Sequence, residues 1–187
     1  NTPVLVGCSQ FLGKKGEEGP NYLDILKEAS TKAIKDCEAK QDLTQHLDTI
    51  SIIRFTADTP NRDSATTDFW GYTNMPRTLG NSLGIKVPNE IYTTTGGNSP
   101  QLLLNEICNR IKEGELNCAL LTGGEALDTF VSRLKLGLEV NWGDEPGGEP
   151  ESIGSIRDLG SECEKKHGIF DPSSVYPLFA NSIRGNK

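Results

Sequence analysis

Glu90–Leu104 reads EIYTTTGGNSPQLLL, which predicts a strand, a glycine turn and a helix in immediate succession. Isoleucine, tyrosine and threonine favour extended backbone. Gly96 and Gly97 permit backbone angles or close approaches that other residues resist. Ser99 suits a helix N-cap, and the proline after it suits the first helical turn. Apolar residues then recur near helical spacing as far as Gly114, a residue type that commonly ends helices.

The predicted turn is the candidate functional site of the chain. The amino terminus of a helix presents free N–H groups and the positive end of the helix dipole. Such a place suits an anion, an oxyanion or an activated nucleophile. The turn contains no Cys, Lys or His, so we assign no catalytic residue there. Gly96, Gly97, Asn98 and Ser99 are instead candidates for lining a substrate pocket.

The chain before this stretch predicts two strands and two helices. The apolar run Val4–Cys8 predicts a buried first strand, and Asp48–Phe55 predicts the second. Residues 22–37 predict an amphipathic helix with Asn21 as its N-cap. Residues 77–83 predict a short helix that ends at Gly84.

Leu116–Thr122 predicts a fourth strand, which ends at a pair of glycines. The order of elements is then strand and helix in alternation, which is typical of an α/β fold with a mainly parallel sheet and helices on both faces. Ligands of such sheets gather beyond the carboxyl ends of the strands. The turn at 96–99 and the end of the fourth strand both lie at such positions.

Two aromatic residues, Trp70 and Tyr72, lie in the polar, irregular stretch Thr56–Met75. They could line a ligand pocket or anchor the loop to the body of the domain, and we expect the second. From Glu125 onward the alternation stops. Residues 130–138 predict a helix, residues 141–160 a Gly-, Pro- and acid-rich loop, and the apolar run Val175–Ala180 a packed segment.

Composition excludes several classes of protein. The chain has 187 residues, with 35% hydrophobic and 24% charged residues, so it is expected to fold. Its net charge of −7 argues against a nucleic-acid partner. No apolar run has the length of a membrane span, and no signal peptide is visible. The 5 cysteines show no CxxC spacing, which favours reduced thiols in the cytoplasm over disulfides or a zinc site.

Three segments together resemble the thiolase superfamily, and more closely the thiolase-like proteins often labelled acetyl-CoA acetyltransferases. They are Thr95–Gln101, Gly114–Ala126 and Tyr176–Phe179, and the opening Thr2–Gly7 fits as well. The resemblance covers nearly the whole chain but only the first part of a full family member. It implies two similar βαβαβαββ halves, with a loop domain inserted in the first. Residues 1–125 would then be the N-terminal α/β domain and residues 126–187 part of the loop domain.

The resemblance also implies Claisen condensation of acyl-CoA thioesters, or its reverse, thiolysis. In the family a cysteine at the amino terminus of the central helix carries the acyl group. Counting back from Gly114 places that cysteine at Gly97, and neither neighbour of Gly97 is a cysteine. Glycine cannot form a thioester. The family's other catalytic elements belong to a second half that this sequence does not contain, so we expect a fragment or one part of a larger assembly.

Three functional hypotheses remain open at this point. The first is a thiolase-like protein that handles acyl-CoA without the usual cysteine, and the second is a non-catalytic acyl-CoA-binding or structural subunit. The third is a serine hydrolase with Ser99 as nucleophile and His46 or His167 as base. The elbow of such enzymes needs a glycine where Gln101 stands, and Pro100 removes an N–H that the oxyanion hole uses.

The resemblance implies a coenzyme A thioester as substrate or ligand and no covalently bound cofactor. It also implies a homo-oligomer, because family members usually dimerise through the first half, or association with the remainder of a longer thiolase-like chain. No metal is expected. If the second half of the sheet is missing, apolar surface should be exposed.

Overall fold

The computed structural model describes residues 1–39, 42–58, 71–155, 160–169 and 172–185. The chain forms two compact units, residues 1–154 and residues 155–187. The predicted boundary after residue 125 marks the start of a loop domain, which a division into compact units does not test. It stays a prediction.

The first unit contains a parallel sheet of three strands in the order β2-β1-β3. The strands are β1 (Thr49–Ile52), β2 (Asn89–Tyr92) and β3 (Ala119–Thr122). Thr49 of β1 aligns with Asn89 and with Ala119. All three strands run in the same direction, so their carboxyl ends meet at one edge of the sheet.

Four α-helices of the first unit surround the sheet: α1 (Tyr22–Asp36), α2 (Met75–Leu83), α3 (Ser99–Glu113) and α4 (Leu127–Lys135). Asn21 caps α1, because its side chain accepts a hydrogen bond from the Asp24 N–H at 2.8 Å. Gly84 and Gly114 end α2 and α3 in the left-handed conformation, which glycine adopts without a steric penalty. These caps confirm the predicted start of α1 and the predicted ends of α2 and α3, whereas α2 starts two residues earlier than predicted. α4 starts three residues earlier than predicted.

Helices cover both faces of the sheet, as predicted. On one face, α1 and α2 pack against Ile50 and Ile52 of β1 in the larger apolar core. On the other face, Leu103 and Ile107 of α3 pack against Ile91 in a smaller core. α3 therefore directs its amino terminus to the edge at which β2 ends.

The predicted first strand, Val4–Cys8, is wrong. These residues belong to no strand, and the side chains of Val4, Leu5 and Val6 are exposed. The segment lies along α1 instead, where the Cys8 N–H donates to Asp36 at 2.9 Å. Because β1 pairs directly with β2 and β3, the segment does not lie between strands of the sheet. It packs on α1, where the Ser9 hydroxyl also donates to the Ala29 carbonyl at 2.5 Å.

The described residues of the loop 141–160 are irregular, as predicted. One part of the loop, however, pairs with the sheet. Residues 151–153 lie parallel to the outer edge of β2. The Glu151 N–H donates to the Glu90 carbonyl at 2.8 Å, and the Thr94 N–H donates to the Ile153 carbonyl at 2.9 Å. We call residues 149–154 the edge strap.

The second unit contains α5 (Glu162–Lys166) and α6 (Pro172–Gly185). The prediction of a packed segment at Val175–Ala180 is wrong. That run is helical, and Tyr176, Leu178 and Phe179 are exposed. Apolar side chains of a helix become buried only where another element packs against them. Within the described residues of the second unit, no element covers these three side chains of α6.

Adjacent leucines of α3 provide a test of the smaller core. Leu103 is fully buried, whereas Leu104 is 45% exposed. We expect Leu103→Ala to lower the free energy of unfolding by about 2–5 kcal/mol because it leaves a cavity. Leu104→Ala, the matched control, should change it by less than about 0.5 kcal/mol. Urea unfolding measures both, and equal losses would contradict the packing of α3.

Candidate functional site

The predicted turn lies at the carboxyl edge of the sheet, between the end of β2 and the start of α3. Gly97 and Asn98 are exposed, whereas Ser99 is buried. The four residues predicted as pocket candidates are therefore adjacent, but they do not all face solvent.

The two glycines of the turn are not needed for their backbone angles. Neither Gly96 nor Gly97 has a positive φ. A Cβ atom at Gly97 would meet no heavy atom within 4 Å beyond its chain neighbours. The position therefore has room for a side chain, although the sequence supplies none.

The amino terminus of α3 presents free N–H groups. Within the described residues, the N–H groups of Gly97 and Asn98 donate no hydrogen bond, while the Ser99 N–H donates to the Gly96 carbonyl at 3.0 Å. Asn98 is the N-cap residue, but its side chain makes no capping hydrogen bond. The free N–H groups coincide with the positive end of the dipole of α3.

The prediction that Ser99 caps α3 is wrong. Ser99 is the first residue of the helix, and its Oγ donates to the Thr94 carbonyl at 2.8 Å. The hydroxyl therefore ties the start of α3 back to the end of β2. Because Ser99 is buried, this hydrogen bond satisfies a group that would otherwise be desolvated without a partner.

A largely buried network, which sequence patterns did not predict, supports the same edge of the sheet. Arg54 follows β1, and its Nε donates to the Thr93 carbonyl at 2.9 Å. Its guanidinium also pairs with Asp58 at 3.4 Å and lies over the ring of Tyr92, 3.7 Å from the centroid. The Tyr92 hydroxyl donates to the same carboxylate. The network ties the residues after β1 to the end of β2.

Burial governs the protonation of this network. Desolvation raises the pKa of Asp58, although the hydrogen bond from Tyr92 and the charge of Arg54 oppose the rise. Burial also raises the pKa of the Tyr92 hydroxyl, and the Asp58 charge adds to that shift. Tyr92 therefore remains a hydrogen-bond donor at neutral pH. The only sequence signal for the network is an arginine directly after an apolar strand, and its partners are distant in sequence.

The two glycines that directly follow β3 lie close to neighbouring side chains. A Cβ at Gly123 would lie 2.9 Å from the Ile53 side chain, and one at Gly124 would lie 2.9 Å from Ile25. Glu125 follows, and its carboxylate accepts the Thr56 N–H at 3.1 Å. Packing therefore accounts for Gly123 and Gly124 without a ligand.

The residues of the serine-hydrolase hypothesis do not form a catalytic site. Ser99 is buried and donates to a backbone carbonyl. His46 precedes β1 and so lies at the amino end of the strands, away from the turn. His167 belongs to the second unit, where its Nδ1 lies 2.8 Å from the Cys163 carbonyl oxygen.

The remaining residues that the sequence analysis singled out have structural positions or lie outside the described residues. Tyr72 is buried beside Tyr22, with ring centroids 6.1 Å apart, which agrees with an anchoring role. Trp70 lies outside the described residues. Cys118 is half-buried, and desolvation raises the pKa of its thiol, as expected for an unreactive cysteine.

The described part of the chain lacks two features that a membrane or metal-binding protein would show. None of its helices is both long and apolar enough to cross a membrane. None of its His, Cys, Asp and Glu side chains form a group that could hold a metal ion.

Replacement of Ser99 tests its structural role. We expect Ser99→Ala to lower the free energy of unfolding by about 1 kcal/mol, because the Thr94 carbonyl loses its hydrogen bond. Asn98→Ala is the matched control, since that side chain makes no capping bond, and its effect should stay within about 0.5 kcal/mol. Chemical denaturation of both variants provides the measurement. A Ser99→Ala protein as stable as the wild type would exclude this role.

The raised pKa of Asp58 predicts a dependence of stability on pH. The folded state binds the Asp58 proton more tightly than the unfolded chain does, so this contribution to stability is fully present below the ordinary pKa of 3.8. It is lost as the pH rises through the raised pKa. In Asp58→Asn the contribution is absent. Unfolding measurements across this range should show the stability of the wild type falling relative to the variant as the pH rises, and a constant difference would contradict the shift.

A comparison with known proteins relates this architecture to a solved thiolase-like structure. No protein-family model matches the chain, and no curated protein matches it closely. Among solved structures, the chain is similar to a monomeric SCP2-thiolase-like protein type 1 from Mycobacterium smegmatis, with 28% sequence identity and a TM-score of 0.50. The match covers 65% of this chain and 23% of that protein, so the chain spans less than a quarter of its length. The chain has a thiolase-like α/β fold.

Proposed function

We propose that the chain handles acyl-CoA thioesters at the amino terminus of α3, as a thiolase-like protein without a covalent cysteine step. The observation that carries the proposal is the pair of free N–H groups of Gly97 and Asn98, two exposed residues. The thiolase-like fold supports the choice of substrate class, since the solved relative is described as SCP2-thiolase-like.

The chemistry of the turn fits a thioester oxygen. When a thioester loses an α-proton or is attacked at its carbonyl, negative charge develops on the oxygen. Two N–H donors and a helix dipole that are fixed before the reaction stabilise such charge. Ser99 keeps the donors in place, because its hydroxyl is bound to the Thr94 carbonyl.

Because the turn carries no cysteine nucleophile, the proposal has a catalytic form and a non-catalytic form. In the first, the turn stabilises an enolate or a polarised thioester, and the protein takes part in condensation or thiolysis without carrying the acyl group itself. In the second, the protein binds acyl-CoA and catalyses nothing. The open space at Gly97 favours a bound ligand in either form, because no side chain fills the place beside the N–H groups.

The remaining predictions belong to the same proposal. A cytoplasmic location, a homo-oligomer and association with the remainder of a longer thiolase-like chain would each be consistent with an acyl-CoA enzyme. The surface of the first unit offers apolar side chains for such contacts, among them Val131 and Leu134 of α4 and Leu136, the residue after it.

A Gly97→Cys variant tests the site directly. The new thiol would stand at the amino terminus of α3, where the dipole lowers a cysteine pKa. We expect incubation with acetyl-CoA to add an acetyl group that peptide mapping places at residue 97. The wild type should bind acetyl-CoA in calorimetry but gain no covalent mass. Gly97→Ala is the matched control, which fills the same space without a thiol and should remain unlabelled.

Two outcomes would count against the proposal. If wild-type protein binds no acetyl-CoA and folded Gly97→Cys is not acylated, the turn is not an acyl-CoA site. If the wild type itself becomes acylated within residues 96–101, a substitute nucleophile exists and the non-covalent form is wrong. Turnover of acetoacetyl-CoA by the wild type would favour the catalytic form over simple binding.

A further inference from the structure

The end of the edge strap lies against both sides of the candidate turn. Gly154 has a φ of +106°, and a Cβ atom there would clash with the Thr94 Oγ1 and lie 3.6 Å from the Leu102 Cδ2. Thr94 precedes the turn. Leu102 belongs to the first turn of α3, where its N–H donates to the Asn98 carbonyl at 3.0 Å. The strap therefore ends beside the points at which the backbone enters and leaves the candidate site, and only a residue without a side chain fits there.

The peptide of Thr94 connects the strap to the start of α3. Its N–H donates to the Ile153 carbonyl at 2.9 Å, and its carbonyl accepts the Ser99 hydroxyl at 2.8 Å. The Ile153 side chain packs against the smaller apolar core, through which α3 is attached to the sheet. The two residues whose N–H groups are free, Gly97 and Asn98, follow Thr94 and precede Ser99, so both ends of their segment are anchored.

Hydrogen bonds and an ion pair keep the strap in register with β2. The Tyr92 N–H donates to the Glu151 carbonyl at 2.9 Å, and the Glu151 N–H donates to the Glu90 carbonyl at 2.8 Å. Arg110 of α3 donates two hydrogen bonds to the Glu151 carboxylate, at 2.7 and 2.5 Å. Its Nε donates to Glu106 at 2.8 Å, which orients the guanidinium on the helix. The strap is therefore attached to β2 and to α3 at the same time.

The turn depends on such support because its own residues restrict it little. Gly96 and Gly97 carry no side chain, and the Asn98 side chain makes no capping hydrogen bond. Glycine has more backbone freedom than any other residue. N–H donors stabilise a developing charge only if they are oriented before it appears. The orientation of these donors therefore depends on the anchors that flank them.

We propose that the edge strap positions the free N–H groups of Gly97 and Asn98. Gly154 seats the end of the strap against Thr94, and the ion pair of Glu151 keeps the strap in place. These are positioning residues, since they contact the turn and its flanks rather than a ligand. Their importance for acyl-CoA binding rests on the proposed function, whereas their effect on the N–H groups does not.

The thiol of a Gly97→Cys protein reports on the N–H groups without any acyl-CoA. The same donors and helix dipole stabilise its thiolate, and the pH dependence of its alkylation by iodoacetamide gives its pKa. We expect Gly154→Ala in this background to raise the thiol pKa, so that alkylation at neutral pH slows about threefold. Gly147→Ala is the matched control and should leave the rate unchanged. Gly147 also has a positive φ, +80°, but a Cβ there would meet no heavy atom within 4 Å.

Calorimetry with acetyl-CoA separates this inference from the proposed function. In proteins that keep Gly97, we expect Gly154→Ala to weaken acetyl-CoA binding about tenfold, the effect of one misplaced hydrogen bond, and Gly147→Ala to bind as the wild type does. Wild-type protein that binds no acetyl-CoA would contradict the proposed function alone, and the thiol pKa would then decide the inference. The inference is overturned if folded Gly154→Ala leaves the thiol pKa unmoved, or if Gly147→Ala raises it equally. Unchanged affinity in Gly154→Ala, where the wild type binds, would overturn it too.

A second substitution keeps the test decisive if Gly154→Ala does not fold. Glu151→Ala removes the ion pair with Arg110 and leaves the backbone of the strap unchanged. Loss of a negative charge by itself lowers a thiol pKa, so the rise that we expect has the opposite sign and identifies displacement of the strap. Glu145→Ala is the control, since it removes the same charge from an exposed residue of the same loop outside the strap. A thiol pKa in folded Glu151→Ala no higher than in Glu145→Ala would overturn the inference.

Discussion

The pairing of β1 along both of its edges is the constraint on which the rest of the first unit depends. Three short parallel strands in one register end together, so the segments that follow them meet at one edge of the sheet. The same pairing excludes the residues around Val4 from the centre of the sheet. It also leaves β2 as an outer strand, which explains why a segment from a distant loop lies against it.

The carboxyl edge is stabilised by polar contacts rather than by further strands. Arg54 binds the Thr93 carbonyl and the Asp58 carboxylate, while its guanidinium covers the Tyr92 ring. A buried charge is tolerated only when it is paired and hydrogen-bonded, and each of these groups meets that condition. The network leaves the backbone after β2 little freedom where it enters the turn at Gly96.

The parts of this fold that could be predicted from sequence are those with local causes. α1, α2 and α3 follow from apolar spacing and from caps such as Asn21 and Gly114, which act within a few residues. The turn at Gly97 was located by the same local signals. The pairing of Arg54 with Asp58 beneath Tyr92 and the position of residue 151 beside β2 depend on contacts between distant segments. Periodicity and capping do not encode such contacts, and an apolar run such as Val4–Val6 predicts burial without naming the surface that would bury it.

Thr94 connects the amino terminus of α3 with the edge strap. Its carbonyl accepts the Ser99 hydroxyl, which fixes the start of α3, and its N–H donates to the Ile153 carbonyl of the edge strap. One peptide segment is therefore held from both sides, by the helix that carries the free N–H groups and by the strand that closes the sheet edge. A turn that must present N–H donors to a developing charge needs this rigidity before a ligand arrives. The strap thus contributes to the geometry of the candidate site without contacting a ligand there.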